Sequence, residues 1–477
     1  MLKTRLISPY QHDGLKWLVA RENVHSADHP GGFLCDEMGL GKTVQMLATM
    51  CVNVKHKTLV VVPKSIVTQW RDEIERFVPT FKTHIYDGPN RTLPIWTDAP
   101  WVVIAPYSVV GMRKGQPLSP IVRDVEWDRV ILDEGHEIRN KKSAIYTSCL
   151  AIRSRIRWIV SGTPIFNSMK DFVALAGFVG IPSYMVQGYT EDVRKKFILR
   201  RTKQDVSEFN KRLELPPCDF ENLELKMHPE ERKLYEEAFE HGRGVVASVL
   251  ASEARHLFQM EMLEALLRVR QVMAYPQMYL DGIAKKREED PELWCGKSKK
   301  LETLMELIKS HPTEKTLVFC QFMGEMDRIQ ELTHEAQIPT FRIDGGVSKD
   351  QRASRIKSFK SAKGGAVFLI QIKSGGFGLN LQEATRVYIT SPAWNPATEM
   401  QAIARAHRTG QTQKVTVRKL IYAGEEALPS VEQSILELQG AKSKVCAEVL
   451  NDTRLIDQIP KTKSSVTVQN LRMIFRL

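Results

Sequence analysis

Cysteine is scarce in this chain. Seven occur in 477 residues, at Cys35, Cys51, Cys149, Cys218, Cys295, Cys320 and Cys446, and no two are closer than 16 positions. That scatter excludes closely spaced zinc ligands, and with the odd count it argues against a disulfide framework and for a reducing setting. Long apolar runs are missing too: no stretch approaches the roughly 20 residues that cross a bilayer. There is no apolar signal segment at the start and no low-complexity tract. The expectation is a soluble, intracellular protein with no membrane partner. Acid is in deficit, with 56 Asp and Glu against 68 Lys and Arg, a formal charge of +12 and a pI near 9.2. Such an excess suits a polyanion such as nucleic acid, although it also serves solubility. The rest is ordinary: 43% hydrophobic and 26% charged residues allow real cores, and the length suggests about two to four domains.

The organising stretch is Asp36-Glu37-Met38-Gly39-Leu40-Gly41-Lys42-Thr43. It follows the apolar Phe33-Leu34-Cys35 and precedes a helix-compatible run from Val44 to Met50, so its context is strand, glycine loop, helix. Backbone N–H groups converge at such a helix N-terminus and favour phosphate. Lys42 would reach the outer phosphates, and the Thr43 hydroxyl would hold magnesium. The strict pattern has glycine where Asp36 stands, so alone the stretch also fits a glycine turn capping an ordinary helix. Short β-branched runs recur along the chain: Thr58–Val62, Trp101–Ala105, Arg129–Leu132 and Trp158–Val160, then Thr316–Cys320, Ala366–Ile370 and Arg386–Ile389. Alternation of these with helical segments predicts parallel sheets covered on both faces, with ligands beyond the carboxyl ends of the strands. Residues 209–296 break the alternation with long charged-apolar helical patterns and read as a helical insertion. The predicted division is 1–208, a first α/β lobe; 209–296, the insertion; 297–440, a second lobe; and 441–477, a basic extension.

Asp133 and Glu134 end a predicted strand 91 positions after Lys42. Adjacent carboxylates there suit two jobs: Asp133 to hold magnesium, and Glu134 to orient and deprotonate a water. Ser161-Gly162-Thr163-Pro164 is a tight polar turn suited to relaying the state of a phosphate site. Gln401, Arg405 and Arg408 are spaced i, i+4, i+7, which on a helix places them on one face. Two such arginines can spread over developing γ-phosphate charge, a role worth roughly 10³ to 10⁵ in rate. If they act so, the two lobes must close for hydrolysis. Otherwise they are a basic helix face. Tyr10 and Gln11 precede the first helix, where a Gln can read the adenine edge and an aromatic can cover its face. The Lys373-Ser374-Gly375-Gly376 loop lacks the Gly-Lys-Thr ending, so it fits a nucleic-acid phosphate or a plain turn.

Taken together, these stretches resemble the superfamily-two helicases, and within them the Swi/Snf-type DNA-translocating ATPases, from about Leu6 to Val415. Asp36, Met38, Gly39, Leu40, Gly41, Lys42 and Thr43 resemble motif I, Asp133 to His136 motif II, and Gly162-Thr163-Pro164 motif III. Leu199 to Lys203 is similar to the inter-lobe signature, and Gln401 to Gln411 to motif VI. The resemblance implies two RecA-like parallel-sheet lobes in tandem, with a helical insertion between them. It implies ATP and Mg²⁺ as cofactors, with Tyr10, Gln11 and Gln401 joining the motif I residues at the nucleotide, and His136, Gly162 and Thr163 coupling its state to motion. It implies double-stranded DNA as partner, at Lys64, Ser65, Tyr107, Gln321, Lys373, Ser374, Gly375, Gly376 and Trp394. Protein–DNA complexes or the transcription machinery are further implied partners, and the nucleus or a viral replication compartment the implied setting. Ala404, Gln371-Ile372 and Tyr107 depart from the family pattern. The expected activity is ATP-driven translocation on duplex DNA. A strand-separating helicase and a slow ATP-gated DNA scaffold are the alternatives.

Overall fold

The computed structural model describes residues 6, 8–25, 27, 29–111, 117–162, 169–207, 216–252, 259–372, 379–408, 410–450 and 468–477. The chain forms two compact units, the first Met1–Glu214 with Val445–Leu455 and the second Leu215–Lys444 with Ile456–Leu477. Each is a parallel sheet flanked by helices, the two RecA-like lobes expected.

The first lobe carries β1 (Gly31–Leu34), β2 (Lys57–Val62), β3 (Lys82–Ile85), β4 (Trp101–Pro106), β5 (Glu126–Asp133), β6 (Arg153–Val160) and β7 (Ile198–Leu199), in the order β3-β4-β2-β5-β6-β1-β7. All its pairings are parallel. The central strands are buried along nearly their whole length because helices cover both faces; Leu59 to Val62 and Val130 to Leu132 have no exposed surface. The register decides where the chemistry sits. Leu34 pairs with Val160, and Val160 with Asp133. The phosphate loop, the Ser161 turn and the Asp133–Glu134 pair therefore leave one edge of the sheet side by side.

The second lobe carries β8 (Cys218–Leu225), β9 (Lys315–Cys320), β10 (Thr340–Ile343), β11 (Ala366–Gln371), β12 (Arg386–Ile389) and β13 (Val415–Tyr422), ordered β10-β11-β9-β12-β13-β8 and again all parallel. β8 lies within the stretch read from sequence as helical. It is an edge strand, mostly exposed, whose polar residues interrupt its apolar ones, so it carries no apolar run to announce it. The helices Pro229–Ala251 and Gln259–Ala274 follow, and their Tyr235, Phe239, Val246, Met262, Leu266 and Val269 share one core with Val318, Tyr388, Leu420 and Tyr422 of the sheet. The C-terminal helix Val468–Ile474 joins that core too: Phe475 lies 5.3 Å from Phe239, ring to ring, over Gly242. Among the described residues no helix is long and apolar enough to cross a membrane.

Candidate nucleotide site

The loop between β1 and the helix Lys42–Val52 turns on two left-handed glycines, Gly39 at φ 94° and Gly41 at φ 74°. Glycine reaches this region without the Cβ clash that opposes other residues. Lys42 Nζ donates to the carbonyls of Asp36 (2.8 Å) and Glu37 (3.3 Å). Burial lowers its pKa, opposed by the charges of Glu134, Asp36 and Asp133. Thr43 stands half-buried on the first helical turn, beside Lys42. A Cβ on Gly162 would come within 2.7 Å of Lys42 Nζ and 2.5 Å of Met38 Cγ, so the floor of the cradle is backbone. Tyr10 and Gln11 are buried against the loop rather than open to a ligand face. The Tyr10 hydroxyl donates to Leu40 O at 3.1 Å, and Gln11 Nε2 lies 3.4 Å from the same oxygen.

The acid pair faces this loop. Asp133 Oδ2 accepts from Trp70 Nε1 at 2.7 Å, and Asp133 Oδ1 from the Glu134 N–H at 3.0 Å. Burial, with Glu134 beside it, pushes the Asp133 carboxyl up to about 7. Glu134 is buried too, but His136, Lys42 and Ser161 outweigh that cost and hold its carboxyl below its ordinary value. Ser161 Oγ donates to Glu134 Oε2 at 3.0 Å, and His136 Nδ1 lies 3.4 Å from the same oxygen. Glu134 sits at φ 51°, a left-handed conformation that costs a non-glycine residue of order 1–3 kcal/mol and is retained mainly at functional sites. No cluster of three or more metal-ligating side chains occurs among the described residues. A hydroxyl and one carboxylate, Thr43 and Asp133, suit a magnesium ion that takes its other ligands from phosphate and water.

Four further residues hold this site: Trp70, through Asp133, and Gln45, Arg200 and Arg201, the two arginines within the stretch similar to the inter-lobe signature. Arg200 Nη1 donates to Cys35 O at 2.9 Å and approaches Gly162 O at 3.4 Å. Arg201 and Gln45 both bind the Asp36 carboxylate. Arg201 lies 165 positions from Asp36, and no local pattern links them.

The residues assigned to DNA separate into four groups. Lys64 and Ser65 are exposed just past β2. Lys64 lines a polar cleft of about 510 Å³ with Asp87, Arg91, Ser108 and Ser119. Tyr107 must be reassigned: it is buried, and its hydroxyl donates to Asp133 O at 2.9 Å, so it braces the acid turn. In the second lobe, Gln321 Nε2 lies 3.5 Å from Ser391 O, and half-buried Trp394 carries the Arg270 guanidinium 5.2 Å from its ring centre. Thr163, Lys373, Ser374, Gly375 and Gly376 lie outside the described residues.

The expected shared helix face of Gln401, Arg405 and Arg408 does not form. The helix Pro396–Ile403 ends before both arginines. In the turn that follows, Arg405 O accepts from the Leu381 N–H at 3.0 Å, and Ala406 O from Gln411 Nε2 at 3.3 Å. Arg405 is buried in that turn, and Arg408 Nη1 donates to Leu379 O at 3.2 Å.

The profile of the SNF2-related domain matches residues 10–189 and 189–278, and that of the helicase conserved C-terminal domain residues 299–410. The chain belongs to the SNF2-related family. This SNF2-type chain is 28% identical over 466 residues to an uncharacterized ATP-dependent helicase of Mycoplasma pneumoniae, covering 92% of this chain and 42% of that one. It is 27% identical to the ATP-dependent helicase fft1 of Schizosaccharomyces pombe, covering 98% and 55%. It is also 27% identical to the ISWI chromatin-remodeling complex ATPase ISW1 of Saccharomyces cerevisiae, covering 94% and 41%. The chain thus spans about half, or less, of the length of these relatives. A solved Sulfolobus solfataricus SWI2/SNF2 ATPase core in complex with dsDNA aligns over 100% of this chain and 98% of its own, at 24% identity and a TM-score of 0.41. The family places the SNF2-type chain among helicase-like ATPases, the enzyme class expected from its motifs.

Proposed function

We propose that this chain hydrolyses ATP, that duplex DNA stimulates the hydrolysis, and that the turnover drives movement along DNA which remodels protein–DNA complexes. One observation carries the reading: Lys42 follows β1 and Asp133 and Glu134 end β5, two strands that flank β6, so all three leave one sheet edge, with the half-buried ammonium in the field of both carboxylates. A half-buried cation facing a phosphate cradle gives the β- and γ-phosphates their counter-charge. Glu134, kept ionised and held from one side by Ser161 and His136, orients the attacking water and accepts its proton. Thr43 and Asp133 would hold magnesium, which when bound supplies positive charge to the phosphate oxygens. Arg405 and Arg408 are proposed to stabilise the charge that develops on the transferred phosphoryl group, so turnover requires both lobes. Lys64 and Ser65, exposed beside a polar cleft, are proposed to hold a DNA phosphate, a contact that carries little sequence information. The relatives' names, ATP-dependent helicase and chromatin-remodeling ATPase, support the same reading.

The test is steady-state ATP turnover measured side by side with no nucleic acid, single-stranded DNA, duplex DNA and RNA. The expected result is strongest stimulation by duplex DNA, falling steeply with salt. Turnover that duplex DNA leaves unchanged would overturn the reading.

A further inference from the structure

The first half of the phosphate loop is the continuation of a β-ladder, and its partner is the segment by which the chain leaves the first lobe. Cys35 N donates to Leu199 O and Glu37 N to Arg201 O, both at 2.8 Å. Lys203 N returns a bond to Glu37 Oε2 at 2.8 Å, and Lys203 Nζ lies 3.4 Å from the same carboxylate. Residues 35–37 and 199–203 are therefore one laced unit.

Arg201 is the hub of that unit. Its backbone N–H and Nε both donate to Asp36 Oδ1, at 3.1 and 3.0 Å, and its Nη2 to Asp36 Oδ2. Nη2 also donates to Gln45 Oε1 at 2.7 Å, and Nη1 to Tyr10 O. The guanidinium lies 5.2 Å from the Tyr10 ring centre. Gln45 closes the figure by donating to Asp36 Oδ2 at 3.0 Å. One planar fork thus joins the first helix, the loop, the nucleotide helix and the exit segment. Gly14 leaves room for it; a Cβ there would lie 2.6 Å from Nη2. This also accounts for an acid in place of glycine at the head of the loop: Asp36 is buried and its carboxylate is fully engaged.

The same two residues that carry the ladder, Asp36 and Glu37, lend their carbonyls to Lys42 Nζ. An ammonium drawn toward phosphate pulls on those two contacts, and so on the loop residues tied to the exit segment. We propose that Arg201, through Asp36, is a positioning residue that ties the phosphate loop to residues 199–203, so that nucleotide binding at Lys42 is felt by the chain leaving the lobe. This rests on the reading of the loop as an ATP site. A point charge cannot replace the fork, because lysine offers no planar set of donors to three acceptors.

The test compares the whole protein with Arg201→Lys and Arg201→Gln, and with Glu22→Gln as a control. Glu22 makes another buried pair of the same lobe, with Arg129, away from the loop. ATP affinity is measured by equilibrium dialysis, and kcat and KM with and without duplex DNA, beside the melting temperature. The expected result for both Arg201 variants is ATP affinity weakened at least tenfold. KM should rise in step, while basal kcat, measured at saturating ATP without DNA, falls less than threefold. The ratio of DNA-stimulated to basal kcat should drop at least threefold, and Arg201→Lys should give no rescue. Glu22→Gln should lower only the melting temperature. Arg201 variants that melt lower but keep wild-type ATP affinity and stimulation ratio would reduce the residue to a fold brace and overturn the proposal. Wild-type protein that binds ATP without turning it over would instead sink the functional reading, and the dialysis series would still judge Arg201.

Discussion

The two lobes share a parallel sheet and differ in what their strand ends hold. In the first, the polar groups at the carboxyl edge converge on a backbone cradle: Lys42, Asp133, Glu134 and Ser161 are each held by a neighbour and aimed at one place. In the second, the polar groups at the corresponding edge hold each other. Lys300 is buried at 2.7 Å from Glu432, which also accepts from Tyr422 N. Glu399 accepts from Ala393 N and Gln439 Nε2, both at 2.7 Å, and pairs with Lys419. The difference shows that one architecture can present either a site or a brace.

Several substitutions would break or sharpen this contrast. The largest effect is expected at the arginines. Arg405→Ala and Arg408→Ala should each slow turnover by roughly 10³-fold at saturating ATP and DNA. Unchanged turnover in both would leave the second lobe as brace alone. Next, Glu432→Ala strands a buried ammonium in the second lobe. Loss of one partner of such a pair costs about 3–5 kcal/mol. Urea unfolding should show that loss, with ATP affinity in the first lobe unchanged; a variant as stable as wild type would refute the brace. The matching change in the first lobe, Glu134→Gln, should act on rate and not on stability. Turnover should fall by at least about 10²-fold with ATP binding retained, and full activity would remove Glu134 as the base. The smallest effect belongs to Tyr107→Phe, which removes one hydrogen bond to Asp133 O and should cost about 1 kcal/mol. Its DNA affinity should match wild type, and a clear loss in a binding titration would return Tyr107 to the DNA surface.

Much of the first lobe was legible in the residues because its signals are local. The glycines, Lys42 and Thr43 are consecutive, and Asp133 and Glu134 close a β-branched run. The arginine turn was legible as residues but not as geometry. Spacing of i, i+4, i+7 implies a shared face only while the helix lasts, and it ends at Ile403. β8 was missed because an exposed edge strand needs no apolar run. Tyr107 was misplaced because its partner, Asp133 O, is 26 positions away and arrives only when the sheet forms.

By itself the sequence determined that there are two alternating α/β lobes, where the glycine loop with Lys42 lies, and that Asp133 and Glu134 end a strand. Those properties follow from short-range patterns of side-chain size, charge and glycine. Only the tertiary structure decided that β1, β6 and β5 lie side by side, that Trp70 and Tyr107 hold Asp133, and that Arg201 locks Asp36 to the exit segment. Strand order and long-range hydrogen bonds arise from packing across many residues, and no local pattern encodes them.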